Sequence, residues 1–371
     1  MDLPSYFVDF LGNIRLTPTQ ADACADGHQS LRDRLNKDDR LAPIIVNTFL
    51  QGSYKRSTIV KPGPTQASDV DVVVVTRLAQ ADYPNPEDAM DEFLPFLEEH
   101  YQGQYEEQGR SFGLTVPGVK LDLVITSAPS EEEAGILALE ALAASEDLTA
   151  FKEARAQWPT VEAVLQKMMA KASEPGWKLE PLYIPDREAR CWEPTHPLQQ
   201  ILWTVDKNAR CNGHYVNVVK AIKWWRRIDP LALKYPKGYP LEHLIGRACP
   251  DGITSVAQGI VETLEALETT YASRQKPVLP DHGVPTNDVL KRLTQQDFEA
   301  FYDRVTWAAS VAREAFDSEL VTESANRWRD LFGDEFPAPP EKGGDGDTGR
   351  GPSGGFTPRE GPSRVPTGRF A

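Results

Sequence analysis

The chain has 371 residues, 40% of them hydrophobic, and a formal net charge of −15. That length suits two domains, or one large domain with additions. The acidic balance speaks against an extended nucleic-acid surface, which needs clustered Lys and Arg, and no apolar run approaches the roughly eighteen residues of a membrane span. The N-terminal MDLPSYFVDFLGNIRL has an acid at position 2 and no basic segment ahead of an apolar one. It does not read as a secretory signal, so the expectation is a cytoplasmic protein with no membrane partner.

Residues 18–40 have helical spacing, with a cap at Thr17 or Thr19. IIVNTFL (44–50), DVDVVVV (69–75) and VKLDLVI (119–125) read as strands. PEDAMDEFLPFLEEHY (86–101) is helical by periodicity. Alternating helix and strand over 18–126 implies an α/β layer. Residues 128–185 read as helices followed by an irregular connection. From His196 to Phe332 the pattern is almost all helical, with two helices expected over 288–316. Beyond Pro337, Gly and Pro dominate without hydrophobic periodicity, which predicts a disordered tail. The cysteines are Cys24, Cys191, Cys211 and Cys249. Reduced thiols are the expectation, although Cys211 and His214 have the spacing to join a zinc site with Cys191 or Cys249.

The chemistry concentrates in QGSYKRSTIVKPGPTQASDVDVVVV (51–75). Alternate side chains of a strand share a face, so Asp69 and Asp71 point the same way. Two unpaired carboxylates on an apolar strand would cost several kcal/mol to bury, and a divalent cation resolves the conflict. Asp122 sits within a second apolar strand. Two such strands side by side bring three carboxylates together, as a two-metal phosphoryl-transfer site requires. Upstream, Gly52 allows close backbone approach to a phosphate, and Ser53 offers a hydroxyl and an N–H to the same anion. A short helix over 54–58 would set Arg56 near that anion.

FLQGSYKRST, DVDVVVV and LDLVI resemble the polymerase-β-like nucleotidyltransferase superfamily. VVKAIKWWRR followed by KYPKGYPLEHLI resembles oligoadenylate synthases and cyclic GMP-AMP synthase. SANRWRDLFGDEFP is similar to the end of the bacterial members, the CD-NTases of CBASS anti-phage systems. GRSFG, THPLQQI, CNGHY, DHGV and the terminal TGRFA point to clade D, whose products include a cyclic trinucleotide of two adenylates and one guanylate.

The resemblance implies a mixed α/β core at 1–190 with an N-terminal helix, a helical nucleotide-binding domain at 191–337 and a tail at 338–371. It implies catalysis and metal binding by Asp69, Asp71 and Asp122, holding two Mg²⁺ ions, with Mn²⁺ able to substitute. Nucleotide binding falls to Gln51, Gly52, Ser53, Arg56, Lys223 and Tyr239, with Lys220 as a second cation. Gly238 stands where related animal enzymes carry Ser, so a hydroxyl contact to the phosphates is not carried over. The implied reaction makes a second messenger from ATP and GTP with release of pyrophosphate, and an effector responds to the diffusible product. The resemblance further implies an E1-E2-like partner that conjugates the chain through Ala371. The alternatives are a polynucleotide-tailing transferase and a non-catalytic nucleotide sensor on the same fold.

Overall fold

A computed structural model of the chain describes residues 1–128 and 181–339. The helices expected after residue 128 fall mainly outside the described residues, as do nearly all of the tail and Ala371.

Two helices open the chain, α1 (Pro4–Asn13) and α2 (Pro18–Lys37). Thr17 and Gln20 close a reciprocal capping box that starts α2, satisfying backbone donors that the first turn leaves orphaned. A sheet follows. Strand β1 (Ile45–Gln51) leads into a single helical turn, α3 (Gly52–Lys55), and returns antiparallel as β2 (Ser68–Thr76). The segment 86–101, read as helical, forms two helices, α4 (Pro86–Asp91) and α5 (Leu94–Tyr101). Pro95 lies in the first turn of α5, where its missing N–H costs nothing. Strands β3 (Tyr105–Glu107), β4 (Phe112–Val116) and β5 (Val119–Ser127) complete the order β1-β2-β5-β4-β3, with β2 and β5 parallel.

The end of the connection expected to be irregular instead forms β6 (Leu182–Asp186), which joins β5 at Ser127 and pairs with β7 (Cys191–Thr195). Both strands contain a proline, Pro185 and Pro194, which sheet edges tolerate.

Helices α6 (Pro197–Arg210), α7 (Tyr215–Ile228), α8 (Tyr239–Ala248), α9 (Val256–Thr270), α10 (Gln295–Asp317) and α11 (Val321–Phe332) make up the remainder. Only one helix occupies 288–316. It starts at Gln295, where Thr294 and Asp297 form a second capping box. The chain before it is a loop folded around two carboxylates. Asp281 accepts from the N–H groups of Gly283 and Val284, and Asp288 accepts from those of Leu279 and Leu290.

Alternation along β2 divides the sheet into two faces. Val70, Val72 and Val74 pack with Leu121, Leu123 and Ile125 beneath Leu31, Leu35, Phe93 and Phe96. At about 1.5–3 kcal/mol for each fully buried aliphatic or aromatic side chain, this face anchors the register of the strands. On the other face, Val73 and Val75 are covered by Phe49, Leu182 and Leu198. Asp69 and Asp71 share that second face at the uncovered end. The helices form their own core, to which α1 also belongs: Phe10 stacks on Phe332 with centroids 4.5 Å apart.

Candidate active site

The parallel register of β2 and β5 sets Asp71 directly opposite Asp122 and Asp69 opposite Lys120. Asp69 is exposed at the mouth, while Asp71 and Asp122 are half-buried. Burial, reinforced by Asp69 and Asp122, pushes the Asp71 carboxyl up to about 7. Burial and Asp69 likewise push Asp122 up to about 6. Asp69, though the most exposed of the three, has its carboxyl partly withdrawn from water, which raises it against the pull of Lys120. These three acids are crowded and short of countercharge. Hard carboxylate oxygens in that condition fit divalent cations.

The turn beside them is shaped by the acid itself. Gly52 has φ +72°, and a Cβ there would lie 1.8 Å from Asp71 Oδ2. Only glycine supplies both that conformation and that closeness. The helical turn starts at Gly52 and so includes Ser53, two residues earlier than the sequence suggests. Ser53 O accepts from the N–H groups of Thr58 and Ile59. Gln51, the last residue of β1, faces Asp71 across the ladder.

Arg56 ends this turn and is buried. Its Nε donates to Glu242 Oε2 at 3.0 Å, and its guanidinium lies 5.2 Å from the Tyr239 ring centroid. Lys223, on α7, donates to the other oxygen, Glu242 Oε1, at 2.9 Å. Burial alone would raise the Glu242 carboxyl, but Arg56 and Lys223 prevail and hold it at about 2. Lys220, one turn before Lys223, is 9% exposed. Burial, then the nearby charges of Arg15 and Lys223, lowers its ammonium to about 7.

Tyr239 opens α8 directly after Gly238. Burial and Asp281 raise its phenol, and its hydroxyl lies 3.3 Å from His243 Nδ1. Behind it His243, His282 and Trp203 stack, with successive centroids 3.8 Å apart. In front, a cavity of about 340 Å³ is lined by Tyr239, Ile184, Thr195, Asn287 and Lys237, among others. Contacts thus run from Gln51 and Gly52 through Asp71 to Asp122, and from Arg56 through Glu242 to Lys223 and Tyr239; Lys220 is brought near Lys223 without a direct contact, and the cavity beside Tyr239 is not bordered by the three acids.

Sequence reasoning missed three residues here. Gln108 Nε2 approaches Asp122 Oδ1 at 3.4 Å, and Ser111 Oγ donates to Gln108 Oε1 at 2.7 Å. Gln108 carries no sequence signal, and Ser111 lies within the GRSFG motif, which by itself gives it no role. Glu242 does carry a signal, as a lone acid between Leu241 and Leu244 three residues after Tyr239. The cysteine–histidine zinc set does not assemble. Cys211 and Cys249 are buried, and each lies within hydrogen-bonding reach of Pro250 O. Among the described residues, the one group of three potential ligands with all its donor atoms within 4.8 Å of one another is Asp38, Glu99 and His100, remote in sequence from this cleft; Asp69, Asp71 and Asp122 are not drawn that close together. Arg40 bridges its two acids, at 2.9 and 2.8 Å.

Acids on neighbouring parallel strands, facing a Gly-Ser turn on a mixed sheet, belong to the polymerase-β-like nucleotidyltransferases, and this fold is of that class. Residues 1–128 match the Second Messenger Oligonucleotide or Dinucleotide Synthetase domain. Over its full length, the chain is 46% identical to the whole of the cyclic AMP-AMP-GMP synthase of Enterobacter hormaechei subsp. hoffmannii. It is 45% identical, again with both chains fully covered, to a probable cyclic AMP-AMP-GMP nucleotide synthase of Salmonella paratyphi B. The structure of the Bradyrhizobium diazoefficiens CD-NTase CdnG in complex with GTP shares the fold. Its TM-score is 0.63 at 15% identity, covering 90% of this chain and 96% of that one. The chain belongs to the CD-NTase family.

Proposed function

We propose that the chain makes cyclic AMP-AMP-GMP from ATP and GTP as a second messenger in CBASS anti-phage defence. Each bond would form by attack of a 3′-hydroxyl on an α-phosphate, with pyrophosphate leaving. The observation that carries this reading is the Asp71–Asp122 register beside the Gly52-Ser53 turn, in a chain nearly half identical, end to end, to a synthase of that product.

Asp69, Asp71 and Asp122 would hold the divalent cations, Mg²⁺ or in its place Mn²⁺. When bound, these supply charge neutralisation at the phosphates and acidify the attacking hydroxyl. The chain's own groups do the rest. The Gly52-Ser53 turn brings backbone against the donor phosphates. Lys223, and Lys220 as a second cation, would neutralise the departing pyrophosphate, and a triphosphate arriving beside Lys220 would return that ammonium to its charged form. Tyr239 offers a ring for the donor base, and the cavity in front of it has room for a second base. The resemblance extends the reading to an E1-E2-like partner acting through Ala371.

Products formed from mixed ATP and GTP test the reading. A phosphatase-resistant cyclic trinucleotide with the mass of two adenylates and one guanylate is expected. Phosphatase-sensitive linear oligonucleotides alone would favour a tailing enzyme and refute it.

A further inference from the structure

On the nucleotidyltransferase reading, one triphosphate is gripped at two places that lie far apart in the chain. One is the turn Gly52–Lys55, which packs against Asp71. The other is Lys223 on α7. Their separation has to be set within a fraction of an ångström, because misplacing a reacting group by about 1 Å can cost about a hundredfold in rate.

A single side chain spans the two. Glu242 projects from α8 and is 4% exposed. One of its oxygens accepts from Arg56, the residue that ends the turn, and the other accepts from Lys223. Arg56 is 186 residues away in sequence and Lys223 is 19. Arg56 and Glu242 are both nearly sealed from solvent, with side chains 5% exposed each. Breaking a buried ion pair strands a charge, so the pairing is strongly enforced. The same helix carries Tyr239 one turn earlier, with its ring beneath the Arg56 guanidinium. Fixing Arg56 therefore fixes the phosphate turn, the phosphate lysine and the base platform relative to one another.

We propose that Glu242 is a positioning residue: its carboxylate is the two-pronged spacer that holds the Gly52–Lys55 turn, Lys223 and Tyr239 in the one arrangement that grips a nucleoside triphosphate by both its phosphates and its base. Buried as it is, it acts through its partners.

The test compares wild type with Glu242→Gln, which keeps the shape and removes the charge, and Glu242→Asp, which keeps the charge and shortens the reach. Kinetics are read at a temperature where circular dichroism shows each variant fully folded. A purely structural role would lower the melting temperature and leave KM and kcat of the folded protein unchanged. The positioning role predicts that KM for ATP and GTP rises at least tenfold in both variants, with the fall in kcat larger for Gln than for Asp. If Glu242→Gln does not fold, Glu242→Asp decides alone. Wild-type KM in a folded variant overturns the proposal. A wild-type chain that releases no pyrophosphate from ATP and GTP refutes the nucleotidyltransferase reading itself, so the two failures are distinguishable.

Discussion

Replacing Gly52 with alanine tests the geometry of the cleft at its tightest point. The added Cβ would stand 1.8 Å from Asp71 Oδ2, whereas real Cβ atoms essentially never come within 3.0 Å of another heavy atom. The turn or the carboxylate must therefore move by about 1.2 Å, the gap between those two distances. The left-handed backbone at φ +72° adds about 1–2 kcal/mol of strain for any residue with a Cβ. A shift of about 1 Å in a reacting group costs on the order of a hundredfold in rate, so kcat/KM should fall by about 2–3 kcal/mol in transition-state terms. Pyrophosphate release from ATP and GTP at saturating Mg²⁺ measures this directly, and thermal denaturation reports the strain separately. A folded Gly52→Ala enzyme with wild-type kcat/KM would refute the reasoning, because Asp71 would then not depend on the turn packed against it.

Other outcomes follow from the same geometry. Tyr239→Ala should weaken nucleotide binding by about 1–3 kcal/mol if its ring stacks on a base, and Lys223→Ala should raise KM; equilibrium binding of a non-hydrolysable ATP analogue checks both. Burial holds His243 near 4 and His282 near 3, with His243 and Arg247 adding to the effect at His282. Unfolded imidazoles titrate near 6.5. Between about pH 6.5 and pH 3–4 the unfolded chain thus binds protons that the folded one refuses, and stability falls as pH falls through that window. His282→Phe should flatten this slope, as read from urea midpoints at pH 7 and pH 5; an unchanged slope contradicts it.

Much of the cleft was legible because its strands are strongly patterned. The valine run of β2 and the VKLDLVI strand carry their acids at positions where an acid is out of place, and a period of two puts Asp69 and Asp71 on one face. That β2 and β5 would pair in parallel, with Asp71 level with Asp122, depends on sheet order, which no local pattern encodes. Weakly patterned strands escaped. The β3–β4 hairpin has strands of three and five residues around a Gly-Arg-Ser turn. Strands β6 and β7 contain prolines and charges that read as loop, yet pair at the sheet's margin. In the helical region, periodicity ran past the capping box at Thr294 because Val289, Leu290 and Leu293 imitate a helical stripe while packing as loop residues. Glu242 escaped for a different reason: its one hint, an acid flanked by Leu241 and Leu244, does not name its partners. An acid on a helix reads as a solvated face until tertiary structure places two cations against it.

The central claim is that Asp69, Asp71 and Asp122 together hold the divalent cations on which synthesis depends. Electron paramagnetic resonance titration of Mn²⁺ in the presence of a non-hydrolysable ATP analogue tests it most directly, comparing wild type with Asp69→Asn/Asp71→Asn. Wild type should bind two ions per chain. The double variant should bind neither at comparable concentrations, make no product, and melt at least as high as metal-free wild type, because two crowded charges have been removed. Wild-type Mn²⁺ binding by the double variant, or appreciable product from it, would contradict the account.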